Sequence, residues 1–275
     1  MRYARWLAGL CLLVQCLTFQ APSAWAAKES ALARIRKAGV LVVALDPDNL
    51  PYSHSQKTPP GFDVEISKEL AKKLGVEVKF HWVDTIRNTP LGDLIEEECD
   101  CALGSAIEVN TAGDDVGNVG RKVLFTKPYY STGYVLVVNE DGPRAKKLAE
   151  LKGKKIGAEA GSVADYNLNL KGHTRRLYPR QEAIFTGLER GEIEAGFMWA
   201  PNVGFMLQGN PKLRFKLVEG YVPEAGFRWN IGAAVRKEDG DLKDFLDKAF
   251  QELVQSGQAK KFIVQYGAPY FPPFE

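Results

Sequence analysis

The chain has no excess charge of either sign with which to attract a strongly charged partner. Its 275 residues carry 36 basic and 34 acidic side chains. Two of the basic residues, Arg2 and Arg5, lie in an N-terminal segment that we expect to be removed, so the remaining residues carry 34 charges of each sign. Nucleic-acid binding depends on basic residues that neutralise phosphates, so this balance argues against a nucleic-acid partner.

Histidine and cysteine are scarce as well. The chain has three histidines and four cysteines, and two of the cysteines fall in the N-terminal segment. The other two, Cys99 and Cys101, have no histidine close by in sequence, whereas zinc normally takes three or four protein ligands. In an oxidising compartment they could pair as a strained disulfide, and free or buried thiols are the alternative. We predict no metal site and no cofactor.

Motifs of common enzymes are also missing. The sequence contains no Gly-x-Ser-x-Gly, no His-Glu-x-x-His and no phosphate-binding glycine loop. His54, His81 and His173 are scattered and suggest no triad. Glu108 or Glu159 could serve as an acid/base in a cleft, but the sequence offers neither of them a partner group. We therefore predict a non-catalytic protein.

One long apolar run is present, at the N terminus. Two arginines precede apolar residues 7–19, and Ala24-Trp25-Ala26 places small residues where a signal peptidase reads them. We expect residues 1–26 to be a signal peptide that directs the protein to the periplasm of a Gram-negative bacterium. The run is short for a membrane span, so we expect no membrane insertion after cleavage. Lipidation at Cys16 is the alternative, and the bulky polar residue before it argues against that.

The rest of the chain alternates between apolar strands and amphipathic helices. Residues 40–45, VLVVAL, form a continuous apolar run that predicts a buried strand. Residues 63–74 have apolar side chains at helical spacing and end at a glycine, and residues 241–256 repeat that pattern most regularly. This alternation predicts an α/β fold of mostly parallel sheets flanked by helices.

Four loops follow predicted strands, two in each half of the chain: DPDNLPYS (46–53), GSAIE (104–108), EAGS (159–162) and MWAPN (198–202). Ligands of such sheets bind beyond the carboxyl ends of the strands, so we expect two lobes that face each other across a cleft. We assign nine residues to this ligand-binding cleft: Asp46, Asn49, Tyr52, Arg87, Asn88, Thr89, Ser105, Ser162 and Trp199.

The segment DPDN offers three oxygen-bearing side chains and invites comparison with a calcium loop. An EF-hand-type loop that opens at Asp46 would need glycine and glutamate where Pro51 and Lys57 stand. A pocket rim that includes Tyr52, or a plain turn, is therefore favoured over a metal site.

Other assigned residues have structural alternatives. Asn88 or Thr89 could cap a helix, with Arg87 in solvent. Ser162 opens a predicted helix, where backbone N–H groups can hold an anion in many proteins. Trp199 could be an ordinary core aromatic rather than a cleft wall.

Several segments carry a family resemblance: ALARIRKAGVLVVALDPDNLPY, GFDVEISKELAKKLGVEVKF, LFTKPYYSTGYVLVV, LKGKKIGAEAGS and GAAVRKEDGDLKDFLDKAFQEL. Their order resembles that of type 2 periplasmic solute-binding proteins, family 3, the amino-acid-binding type of ABC importers. The resemblance implies a two-lobed fold with lobe 1 over residues 28–135 and 234–275, and lobe 2 over residues 136–233. Residues 134–139 and 230–235 would be the two hinge strands.

Two ionic anchors of the amino-acid-binding members are out of place. In that family an arginine at a fixed distance before the motif FTKPYY clamps the ligand carboxylate. Val119 occupies that position here, and Arg121 is two residues out of register. The aspartate that holds the α-ammonium corresponds to Trp199. Because a bidentate arginine clamp tolerates little displacement, the resemblance implies a cleft that is no longer built for α-amino acids.

Shorter blocks look like a narrower subgroup: DPDNLPYS, IRNTP, CDCALG, WAP, RWNIGAAVRK and YGAPYFPP. They are similar to the J-type periplasmic proteins encoded with quinoprotein (PQQ-dependent) methanol and alcohol dehydrogenases. That likeness implies an accessory protein for maturation or activation, whose partner is the dehydrogenase or its cytochrome. The alternative is the substrate-binding subunit of an ABC importer, which would deliver an apolar or weakly charged solute to an ABC permease.

Overall fold

A computed structural model describes residues 29–85, 89–107 and 122–274. The first part of the chain folds as α1 (Ala31–Ala38), β1 (Val40–Leu45), β2 (Asp48–Asn49), β3 (Ser53–His54), α2 (Phe62–Leu74), β4 (Glu77–Trp82), α3 (Pro90–Ile95), β5 (Cys101–Ile107) and β6 (Val123–Phe125). The middle part follows as β7 (Tyr130–Asn139), a 3-10 turn at Leu148–Leu151, β8 (Ile156–Glu159), α4 (Val163–Leu170), β9 (Arg175–Tyr178), α5 (Gln181–Glu189), β10 (Ala195–Trp199), α6 (Ala200–Gly209) and β11 (Phe215–Leu217). The last part is β12 (Arg228–Arg236), α7 (Gly240–Gln255) and α8 (Gln258–Val264).

Helix limits follow the local signals in the sequence. Helices α1 and α2 end at Gly39 and Gly75, whose φ angles of 71° and 77° lie in the left-handed region that glycine adopts without strain. Helix α7 covers the segment with the most regular apolar spacing and buries Leu242, Leu246 and Phe250. Among the described residues, no helix combines the length and the apolar character needed to cross a bilayer.

The strands pair in the order β4-β1-β5-β12-β7-β10-β8-β9, with β6 beside β12 and β11 beside β7. Strand β1 runs parallel to β4 and β5, and strand β8 runs parallel to β10 and β9. The long strands β7 and β12 are antiparallel to each other and join the two parallel groups. The predicted α/β class with mostly parallel sheets is confirmed.

Two large apolar cores lie on either side of β7 and β12. The first contains Leu41, Phe62 and Phe250, and the second contains Leu136 and Phe197. Strand β7 contributes to both cores, through Tyr130 in the first and Val135 in the second, whereas β12 contributes Ile231 to the first core and Phe227, just before β12, packs in the second. The predicted hinge segments 134–139 and 230–235 fall within these two strands. The lobe limits given above stay a prediction.

The last described residues form a tail segment, residues 268–274, that fastens both long strands. Phe271 makes a β-bridge with Ser131 of β7. The backbone N–H of Phe274 donates to Asn230 Oδ1 at 2.9 Å and to Ser131 Oγ at 3.1 Å, and Asn230 Nδ2 donates to the Phe274 carbonyl at 2.9 Å. The tail segment is therefore bonded to β7 and β12 at once.

Cys99 and Cys101 do not form the strained disulfide considered above. Both thiols are free and buried, which was the alternative. Cys101 packs in the first large core, whereas Cys99 packs in a smaller cluster with Leu94 and Ala102. Packing thus places the two thiols in different apolar environments. Burial raises the pKa of Cys99 to about 12, so the thiol stays protonated.

Candidate ligand-binding cleft

A cavity of about 860 Å³ lies between the side of the molecule that contains β1, α3 and β5 and the side that contains α4, β10 and α6. Its walls come from the ends of β1 and β5 and from α3 on one side, and from Val163, Trp199 and Asn202 on the other. Such a volume is in the range of pockets that enclose small organic ligands. The cavity lies at the carboxyl end of β1, where the sequence predicted a cleft.

Six of the nine predicted cleft residues line this cavity: Asp46, Asn49, Tyr52, Thr89, Ser105 and Trp199. Thr89 also caps α3, because its hydroxyl accepts a hydrogen bond from Leu91 N–H at 3.3 Å. Ser162 is not among the lining residues, and its hydroxyl caps α4 by accepting from Asp165 N–H at 3.2 Å. Arg87 and Asn88 lie outside the described residues.

The loop 46–53 is a small hairpin at the rim of the cavity. Strands β2 and β3 pair antiparallel, with Asp48 opposite His54. Asp46 Oδ1 accepts from Asp48 N–H at 2.8 Å, and its Oδ2 accepts from both the backbone N–H and the hydroxyl of Thr85. Asp46 therefore ties the hairpin to the loop after β4. Among the described residues, no group of three or more His, Cys, Asp or Glu side chains is placed to hold a metal.

Tyr52 and Trp199 meet across the cavity. Trp199 Nε1 donates a hydrogen bond to the Tyr52 hydroxyl. The Trp199 ring also packs against Tyr134 and Trp229, with ring centroids 5.3 Å and 5.4 Å apart. Burial raises the pKa of Tyr52 well above its usual value, so the hydroxyl stays neutral and can accept this bond. The contact joins the rim hairpin to the end of β10.

Asp63 is a cavity residue that the sequence analysis placed only within a helix. It lies in the first turn of α2, is 2% exposed, and accepts a hydrogen bond from the Tyr129 hydroxyl at Oδ1 over 2.7 Å. Burial raises the pKa of this carboxyl group to about 7, and the bond from Tyr129 offsets only part of the effect. The available signal was an acid between the apolar residues Phe62 and Val64 on the buried face of α2.

Tyr130 and Gly104 complete the floor of the cavity beside Asp63. The Tyr130 side chain is fully buried, and its hydroxyl has no hydrogen-bond partner among the residues that the structure describes. Gly104 has a φ of 74°, and a Cβ added there would lie 3.0 Å from Asp63 Oδ2. Glycine at this position therefore leaves the second carboxylate oxygen uncovered by a side chain.

Near neutral pH, the side chains that can carry a charge in the described part of the cavity lining are carboxylic acids. Within the described part of the chain, Asp46 and Asp63 are the charged residues of its lining, and no lysine or arginine contributes to it. Glu159, considered above as an acid/base, does not line the cavity in this part of the chain, and Glu108 lies outside the described residues. The rest of the described lining consists of aromatic, aliphatic and hydroxyl side chains and the amides of Asn49 and Asn202.

Residues 41–269 match the family model described as bacterial extracellular solute-binding proteins, family 3. The chain belongs to this family. The histidine-binding periplasmic protein of Salmonella typhimurium is 26% identical over 240 residues, which cover 82% of this chain and 86% of that protein.

Two solved structures share the fold of this chain. The L-cystine solute receptor of Neisseria gonorrhoeae, in its unliganded open conformation, matches with a TM-score of 0.74 at 22% identity, over 89% of this chain and 100% of that one. An ancestral amino-acid-binding protein, described as a precursor of cyclohexadienyl dehydratase, matches with a TM-score of 0.57 at 23% identity, over 86% and 100%. The two-lobed periplasmic-binding-protein fold is confirmed, whereas the narrower J-type subgroup stays a hypothesis.

Proposed function

We propose that the protein binds a small organic solute in the cavity between its lobes and presents it to an ABC permease. Family 3 membership supports this function, and the observation that carries it is the cavity of about 860 Å³ between the two parts of the chain. The Salmonella relative is named as a periplasmic binding protein, which supports the periplasm as the location.

The solute is not an ordinary α-amino acid. Trp199 stands where the family resemblance places an aspartate for the α-ammonium. Its indole N–H donates to Tyr52, and its ring packs against Tyr134 and Trp229. The described lining also offers no basic side chain for a carboxylate. A carboxylate buried without a partner is costly, so both features favour a solute of different chemistry.

A second candidate function is the accessory role beside a quinoprotein alcohol dehydrogenase. Three of the blocks that carry this resemblance meet around Trp199, which favours a shared role for them. Tyr52 of DPDNLPYS bonds Trp199 of WAP, and Trp229 of RWNIGAAVRK packs against that same tryptophan. The block YGAPYFPP supplies Phe271, which bridges to β7.

A thermal-shift screen of residues 27–275 against a library of amines, alcohols, acids and amino acids tests the first function. A ligand that binds the folded state raises Tm progressively with its concentration, so we expect at least one class to do so. No rise with any class at about 10 mM would contradict solute binding. Co-purification with a dehydrogenase, together with a change in its dye-linked activity, would instead favour the accessory role.

A further inference from the structure

The floor of the cavity offers hydrogen-bond acceptors, and no cationic side chain among the described lining residues pairs with them. Asp63 Oδ1 is taken by Tyr129, while Oδ2 faces Gly104, where no side chain covers it. The Tyr130 hydroxyl lies buried in the same lining and is unpartnered within the described residues. Native proteins pair nearly all buried polar groups, so the Tyr130 hydroxyl, which shares this lining with a buried carboxylate, offers a ligand an acceptor that no described residue uses.

We propose that this cavity binds the ammonium end of an organic amine, with Asp63 and Tyr130 as acceptors and the aromatic walls around its apolar body. The inference rests on the solute-binding function proposed above and names the class of solute. An ammonium group supplies N–H donors to both acceptors and the counter-charge that the buried carboxylate otherwise lacks.

The walls of the cavity suit such a cation. Among the described lining residues, six have aromatic side chains: Tyr52, Phe125, Tyr130, Tyr134, Trp199 and Trp229. Aromatic faces attract an ammonium ion within about 6 Å, by roughly 0.5–2 kcal/mol depending on desolvation. They also bury an apolar body, which adds affinity without demanding further polar partners.

The same lining disfavours anions. Both charged residues in its described part are acids, and Asp46 already uses both carboxylate oxygens to hold the hairpin and the loop after β4. A ligand carboxylate would meet like charge and no basic partner in that part of the lining. The cavity should therefore separate an amine from an acid of equal size.

Binding of an amine should depend on pH through Asp63. The titratable groups that face this carboxyl are the hydroxyls of Tyr52, Tyr129 and Tyr130, and burial raises the pKa of each, so all three remain neutral. With a pKa of about 7, Asp63 is mostly protonated at pH 6 and mostly ionised at pH 8. Affinity for an amine should rise about tenfold between these pH values, since the amine itself stays charged.

Four probes that share one apolar body separate the classes: 2-phenylethylammonium, 2-phenylethanol, 3-phenylpropionate and L-phenylalanine. Calorimetric titration of residues 27–275 should give the tightest binding for the ammonium probe, at least tenfold tighter than for the alcohol. At pH 6 its binding should release a proton, visible as a heat that changes with the ionisation enthalpy of the buffer.

Two substitutions test the acceptors. Tyr130→Phe removes an unpartnered hydroxyl, so the fold should tolerate it, yet affinity for 2-phenylethylammonium should fall about tenfold or more. Asp63→Asn keeps an acceptor for Tyr129 and should cost about a hundredfold while abolishing the pH dependence. Tyr221→Phe is the matched control, because Tyr221 is buried in the second core away from the cavity lining.

Equal binding of the alcohol or the acid would overturn the ammonium site and leave the solute-binding function intact. Equal affinity of wild type and Tyr130→Phe, with no proton release at pH 6, would overturn it as well. Failure of 2-phenylethylammonium to bind at about 10 mM also overturns it, whatever the library screen finds for other solutes.

Discussion

At the scale of single residues, the environment of Asp63 differs from the one its sequence context suggests. An acid in the first turn of a helix is ordinarily stabilised in its ionised form. Here the side chain is buried beneath the cavity, and desolvation outweighs both the helix N terminus and the bond from Tyr129. The protein therefore keeps a carboxyl group that changes its charge near neutral pH.

Asp63 should make the ligand-free protein less stable as the pH rises. The folded state holds the Asp63 proton up to a pKa of about 7, whereas the unfolded chain releases it near the usual aspartate value. The stability that protonated Asp63 contributes is fully present below about pH 4. It falls by up to ~4 kcal/mol between about pH 4 and 7. Urea unfolding of wild type and Asp63→Asn across this range should show the loss in wild type alone. Parallel pH profiles for the two proteins would contradict this assignment.

At the scale of secondary-structure elements, β7 and β12 are held by the tail segment 268–274. Tyr130 and Ile231 face the cavity, and their neighbours Ser131 and Asn230 bond the tail. Because successive side chains of a strand point to opposite faces, the tail lies on the side of the two strands away from the cavity. It braces the two strands that both lobes share.

Replacement of Asn230 by alanine should loosen this brace. The change removes the bonds of its side chain to both backbone groups of Phe274 and to the Ser131 hydroxyl. Each of these three part-buried hydrogen bonds contributes about 1 kcal/mol, so we expect the free energy of unfolding to fall by about 3 kcal/mol. Urea denaturation measures it, and Asn210→Ala, at an exposed helix end, is the control. A loss no larger than that of the control would show that the tail does not brace the strands.

The elements that were predicted correctly are those whose signals are local. Strand β1 and helix α7 show their patterns within a few residues, and the observed α7 limits, Gly240–Gln255, differ by one residue from the predicted 241–256. The hairpin β2–β3 was expected only as a rim or a turn, because two-residue strands carry no periodicity.

Contacts in the candidate site depend on distant residues and were harder to anticipate. Tyr52 and Trp199 were each assigned to the cleft, but their bond spans 147 positions and no local pattern reports it. Asp63 was missed because its bond to Tyr129 spans 66 positions. Arrangement in the sheet, and not spacing along the chain, brings these groups together.

At the scale of the whole molecule, the cavity depends on the relative position of two lobes that share two strands. Tyr52 and Trp199 provide a direct hydrogen bond across the cavity, and the rings around Trp199 extend that contact. Removal of this contact should favour a more open arrangement. The lobes can then separate through a change in the twist of β7 and β12.

Trp199→Phe should therefore expand the protein without unfolding it. Phenylalanine keeps an aromatic ring beside Tyr134 and Trp229 but cannot donate to Tyr52. Small-angle X-ray scattering should give a larger radius of gyration than wild type, with an unchanged far-ultraviolet circular dichroism spectrum. Trp82→Phe, outside the cavity lining, is the matched control. An unchanged radius in Trp199→Phe would mean that the hydrogen bond does not hold the lobes together.

The hydrogen bond between Tyr52 and Trp199 also makes Trp199 an intrinsic fluorescence probe of the cleft. An indole N–H that donates to a buried phenol sits in a drier environment than one that donates to bulk solvent. Separation of the lobes would hydrate this indole and move its fluorescence emission to longer wavelength, and the Trp199→Phe protein gives the emission of Trp82 and Trp229 alone for comparison. Opening and closing of the cleft can therefore be followed in real time on the unlabelled chain.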